Sequence, residues 1–228
     1  CRWMMFDHGG LMWLGTNSGL KSWDGYDFHN FRSTAFSPGI LPNNTVLSIT
    51  EDNNKILWLG TRNGLARFDM KTRSFNTLFI EGDSYRTIYT LYTSTDGTVW
   101  IGTDGGLTRY DENTHKFDTY TEKNSIYLDS DGKKSADRHI SVKSIIDDGH
   151  GNLYLGTWSD GVLIFNPKKR TFQRYEKINN FNSAYSLHLD SKGRLWIGSW
   201  SEGLQMIPHP EQGPRAEHLN ITINATGF

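Results

Sequence analysis

The chain has 228 residues, 36% of them hydrophobic and 13% aromatic, with a formal net charge of -1 at pH 7. That length and apolar content can bury a core, and the scattered, near-balanced charge makes no electrostatic case for nucleic acid or an anionic membrane. A single cysteine, Cys1, excludes an internal disulfide, and no apolar run approaches the ~18 residues that cross a bilayer.

From the N-terminus, RWMMFD, LMWLGT, GLKSWD and YDFHNF read as four short strands joined by tight turns, the first of them His8-Gly9-Gly10. Cys1 would suit the acylated first residue of a lipoprotein. However, a strand-like run follows at once without a tether, so an arbitrary fragment boundary is the expectation. After a loop at 32–44 the pattern returns as TVLSIT, ILWLGT, LARFD and SFNTLF. It comes again as IYTLYT, TVWIGT, GLTRYD and KFDTY. A long polar connection, about 121–140, precedes VKSIID, LYLGTW, GVLIFN and TFQRY. The last copy gives YSLHLD, RLWIGSW and GLQMI, then a Pro-rich loop, and HLNITI (218–223) is either its fourth strand or the start of something else.

The aromatics Trp13, Trp58, Trp100, Tyr154 and Trp196 mark the five copies, separated by 45, 42, 54 and 42 residues. Four short antiparallel strands per unit at this period predict an all-β fold: a β-propeller of four-stranded blades. The blades fall at about 1–31, 45–79, 88–120, 141–175 and 184–223 of a single propeller portion, 1–228. Most of the repeated residues have scaffold duties. Gly15, Gly60, Gly102, Gly156 and Gly198 let neighbouring blades approach. Asp7, Asp52, Asp148 and Asp190, each six residues before the aromatic, bind turn amides.

The strings WLGTRNGLARFD and WIGTDGGLTRYD resemble the two-component regulator propeller repeat, and GLKSWDGYDFHNF resembles that family's opening blade. The resemblance implies the periplasmic sensor portion of a hybrid two-component system of the Bacteroidetes type. It implies a ligand derived from polysaccharide breakdown, and a neighbouring propeller or immunoglobulin-like domain as partner. Seven blades are that family's norm, about 300 residues at this period. The expectation is therefore a portion of a larger, seven-bladed propeller rather than a closed five-bladed ring. Uncovered blade faces would favour pairing, so a homodimer is a candidate assembly.

Function is sought where the copies differ. The turn after the second strand has two residues before Gly in the first three blades but three in the last two, giving Trp158-Ser159-Asp160 and Trp200-Ser201-Glu202. Propeller connectivity puts two Trp rings and two carboxylates side by side on one rim. Aromatic faces stack on sugar C–H groups, and carboxylates accept from hydroxyls, so Trp158, Asp160, Trp200 and Glu202 are candidate oligosaccharide contacts. Arg62 and Asp104, in the shorter turns of blades two and three, complete the candidate ligand-binding set. The 121–140 connection is expected on the same face, covering the central opening, or else solvated. Within it Asp129-Ser130-Asp131-Gly132 imitates the start of a calcium loop but lacks the distal Glu. With no HExxH, GxSxG, P-loop or CxxC, no catalytic residue, metal or cofactor is assigned. The reading is a non-catalytic, extracytoplasmic recognition propeller. The alternatives are a propeller that binds other proteins and, behind it, a glycosidase or lyase.

Overall fold

The computed structural model describes residues 1–221 other than 37–38, 82–85, 113, 122, 136–138, 177–182 and 202. Apart from one short 3-10 turn, the regular structure among them is all strand. The first blade comprises β1 (Trp3–Phe6), β2 (Met12–Thr16), β3 (Gly19–Trp23) and β4 (Phe28–Phe31). The second comprises β5 (Val46–Glu51), β6 (Ile56–Thr61), β7 (Gly64–Asp69) and β8 (Ser74–Leu78), and the third β9 (Ile88–Thr93), β10 (Val99–Thr103), β11 (Gly106–Asp111) and β12 (Lys116–Tyr120). A short β13 (Ile126–Leu128) precedes the fourth blade, β14 (Val142–Asp147), β15 (Leu153–Thr157), β16 (Val162–Asn166) and β17 (Thr171–Arg174). The fifth is β18 (Ser186–Leu189), β19 (Leu195–Gly198), β20 (Leu204–Ile207) and β21 (Leu219–Ile221). Each blade is an antiparallel meander in chain order, and β21 pairs with β20, so Leu219–Ile221 supplies the fifth blade's fourth strand.

The chain divides into two compact units, Cys1–Thr119 and Tyr120–Phe228. In the first unit Trp13 packs against Phe31 of its own blade and Phe68 of the next, with Leu57, Leu59 and Ala66 completing the layer. Trp58 repeats this one blade on, its ring tilted against Tyr110. In the second unit Tyr154, Tyr175, Leu195, Ile197 and Ile207 form the corresponding core. Neighbouring first strands face each other: Thr50 and Thr93 share a hydrogen bond between β5 and β9, and the Leu187 N–H donates to Ser144 Oγ between β18 and β14. This close approach requires the repeat glycine. A Cβ on Gly60 would stand 2.7 Å from Ile88 Cγ2 of the next blade, and one on Gly156 would stand 2.5 Å from the Ala184 carbonyl oxygen.

The repeat aspartates bind turn amides and also more. Asp52 Oδ1 accepts from the amides of Asn54 and Ile56, while its Oδ2 accepts the indole N–H of Trp58 at 2.7 Å. Asp7 holds Trp13 and Asp190 holds Trp196 in the same way. The six-residue spacing therefore locks the aromatic to its turn. Where the aromatic is Tyr154 and no indole exists, Asn152 Nδ2 donates to Asp148 instead.

The 121–140 connection departs from expectation. Its residues 126–128 form β13, which runs parallel to β17 on the outside of the fourth sheet. Leu128 then bridges to Lys134 around a turn in which Asp129 Oδ1 accepts from the Asp131 and Lys133 amides. The calcium-like phrase is one more Asp turn, with Asp131 paired to Arg215.

Candidate functional site

The lengthened turns of the second unit are built on the repeat's hydroxyl residue. Thr157 Oγ1 donates to the Gly161 carbonyl and accepts the Asp160 amide, which closes the turn and leaves Trp158 at its apex. The Trp158 N–H bonds the Ser141 carbonyl, and the Ala184 N–H bonds the Thr157 carbonyl, fixing the turn to the chain on both sides. Trp200 is placed by the same logic, its N–H 3.3 Å from Ser183 Oγ.

These constraints bring the two indoles together, with ring centroids 6.2 Å apart. Tyr185 completes a triangle, 6.4 Å from Trp158 and 5.5 Å from Trp200. The rings stay open to solvent at 48% (Trp158), 42% (Tyr185) and 69% (Trp200) exposure. Such exposure is unusual for touching aromatics, which are normally spent on a core. Lys143 Nζ lies 5.9 Å from the Trp158 ring centroid, within cation–π range. Sequence reasoning missed Tyr185, which stands just before β18 and outside the repeat phrase. The signal was available in Ala184-Tyr185, since that connection meets the rim turn.

The other candidates are placed differently. Asp160 does not stand on the rim beside the indoles: it is 3% exposed, and Arg174 on β17 approaches its carboxylate at 3.8 Å. A basic side chain one strand away draws it inward. Glu202 lies outside the described residues. Arg62 and Asp104 belong to the first unit. Arg62 is an exposed turn residue whose carbonyl accepts from Thr87 Oγ1, and Asp104 accepts the Tyr89 hydroxyl at 2.8 Å.

The second unit also carries a cleft of about 500 Å3 lined by Asp148, His150, Tyr154 and Glu211. Both Asp148 oxygens are engaged by its turn, and burial pushes the Tyr154 phenol upward in pKa. Glu211 is exposed beside His209. Among the described residues no cluster of three or more His, Cys, Asp or Glu is placed to hold a metal ion, and no helix is long and apolar enough to cross a membrane.

Residues 40–63, 82–105 and 180–201 match the two component regulator propeller family. No curated protein matches the chain. Among solved structures, the extracellular domain assigned to a hybrid two component system of B. thetaiotaomicron is 22% identical over 89% of this chain and 26% of its own, with a TM-score of 0.69. A second B. thetaiotaomicron extracellular domain, assigned to a one component system, is 22% identical over 100% of this chain and 34% of its own, with a TM-score of 0.65. Virginiamycin B lyase from Staphylococcus aureus has a TM-score of 0.73 at 11% identity, covering 97% of this chain and 70% of its own. At these identities the likeness is one of fold, and the chain spans only about a quarter to a third of the two B. thetaiotaomicron domains.

Proposed function

We propose, for a chain that carries two component regulator propeller repeats, the role of an extracytoplasmic, non-catalytic recognition module in a sensor whose ligand is an oligosaccharide. The observation that carries the reading is the exposed triangle of Trp158, Tyr185 and Trp200. Three rings that a scaffold does not need are held at fixed spacing by backbone hydrogen bonds. Flat aromatic faces of this kind suit the C–H faces of pyranose rings, and the ring edges and neighbouring polar groups suit hydroxyls. The fold likeness to extracellular domains assigned to a hybrid two component system and a one component system supports an extracytoplasmic location. Ligand binding would signal by favouring one arrangement of the propeller with neighbouring domains, which requires different affinities for the two arrangements.

A glycan array followed by calorimetric titration of the best binder tests this. Trp158→Ala and Trp200→Ala are each expected to weaken binding about tenfold or more, as truncation of a central aromatic contact does. Unchanged affinity in both variants would sink the assignment of the site. Turnover of a glycan would refute the non-catalytic reading, and binding confined to a protein would favour an interaction propeller.

A further inference from the structure

A cleft of about 360 Å3 in the first unit opens where β1, β5 and β9 end, lined among others by Phe6, His8, Thr50, Glu51 and Thr93. Glu51 is its unusual member. The side chain is 2% exposed, and its Oε2 accepts the His8 amide at 2.7 Å and lies 2.7 Å from His8 Nδ1. Oε1 is buried and meets no donor among the described residues.

Glu51 is not repeat scaffold. It pairs with Leu57, and the residues at the same register in the other blades are Phe6, Thr93, Asp147 and Leu189. Three of those four blades close without a carboxylate here, and Asp147, the other acid, is half-buried and accepts the Gly149 amide of its own turn. A buried carboxylate oxygen left without a donor is costly, so an acid at this position points to a donor supplied by another molecule. The rest of the lining says which kind. Phe6 offers an exposed aromatic wall, the threonines offer hydroxyls already bonded to each other, and no Lys or Arg lines the cleft among the described residues.

We infer that this cleft binds a small organic cation through a primary ammonium group, which donates to Glu51 Oε1 while its carbon body lies against Phe6. Carboxylate and aromatic face together are the usual recipe for an ammonium. Oε1 is buried, and the His8 ring, whose side chain is 67% exposed, lies against Oε2 of the same carboxylate. His8 thus competes with the ligand for this carboxylate, and its exposed ring yields as the ammonium arrives.

Two ligand sources share this chemistry, amino sugars and alkylamines. Calorimetric titration of the protein at low salt with glucosamine and putrescine, against N-acetylglucosamine and glucose, separates them. At least one amine is expected to bind, with the neutral sugars about tenfold weaker or silent. Glu51→Gln keeps the shape, removes the charge and is expected to lose about tenfold in amine affinity. His8→Ala removes the ring that competes for the carboxylate and is expected to tighten amine binding, which decides the matter if the Gln variant fails to fold. No binding of either amine, undiminished binding by Glu51→Gln, or indifference to His8→Ala overturns the inference. Trp158→Ala should leave amine binding unchanged, so this site and the aromatic one fail separately.

Discussion

Removing one turn carboxylate should cost far more than an ordinary loop substitution. Asp52 and Trp58 are both buried, and the carboxylate accepts three N–H groups, two from the turn and one from the indole. In Asp52→Ala the two amides sit beside exposed turn residues, so water replaces much of what they lose, at about 0.5–1.5 kcal/mol each. The indole N–H has no such recourse and costs about 1–3 kcal/mol when orphaned in a dry interior. The total is about 2–6 kcal/mol, a large share of the ~5–15 kcal/mol that holds a typical domain. A double-mutant cycle isolates the indole term. Trp58→Phe removes the donor beforehand, so Asp52→Ala in that background should cost only the amide share. Urea unfolding of wild type, both single variants and the double variant is expected to give a coupling of about 1–3 kcal/mol. A coupling below about 0.5 kcal/mol would show that the indole bond contributes nothing beyond the turn, and would refute the reading of the six-residue spacing.

Two further expectations follow from the same turns. Lys55 holds a φ of 62° where Gly10, Gly97, Gly151 and Gly193 occupy the corresponding position, so Lys55→Gly should stabilise the chain by about 0.5–1 kcal/mol, and a lowered melting temperature would contradict this. The Trp196 indole, then the Arg194 amide and guanidinium, hold the Asp190 carboxyl well below the usual carboxylate range. A depressed folded-state value stabilises above the unfolded value and loses that contribution as pH falls through the folded one. The melting-temperature gap between wild type and Asp190→Asn should therefore narrow below about pH 4, and a gap constant to about pH 2 would rule the coupling out.

The blades were legible because period, turn residues and strand propensity agreed in each copy. The indole bond was not, because Asp52 and Trp58 meet across a hairpin and only the pairing of β5 with β6 shows that the side chains face one another. The meeting of Trp158 and Trp200 followed from loop length, whereas the withdrawal of Asp160 depended on Arg174, a residue on another strand. Tyr185 carried no repeat signature. The run Ile126-Tyr127-Leu128 before Asp129 has the apolar-then-Asp pattern of a blade strand, yet its polar surroundings concealed it. Glu51 reads in sequence as one acid of a turn cluster, Glu51-Asp52-Asn53-Asn54, and only its burial separates it from its neighbours.

β13 has a consequence for assembly. An outermost strand offers a row of backbone N–H and C=O groups, which is a template for another chain. On the fourth sheet that row is spent internally, since Ile126 to Leu128 lie in register with Thr171 to Gln173. An extended peptide reaching this side meets a three-residue strand that ends at once in the Asp129 turn. The inserted segment thus protects the fourth blade from strand addition, while the repeat inside it keeps its register.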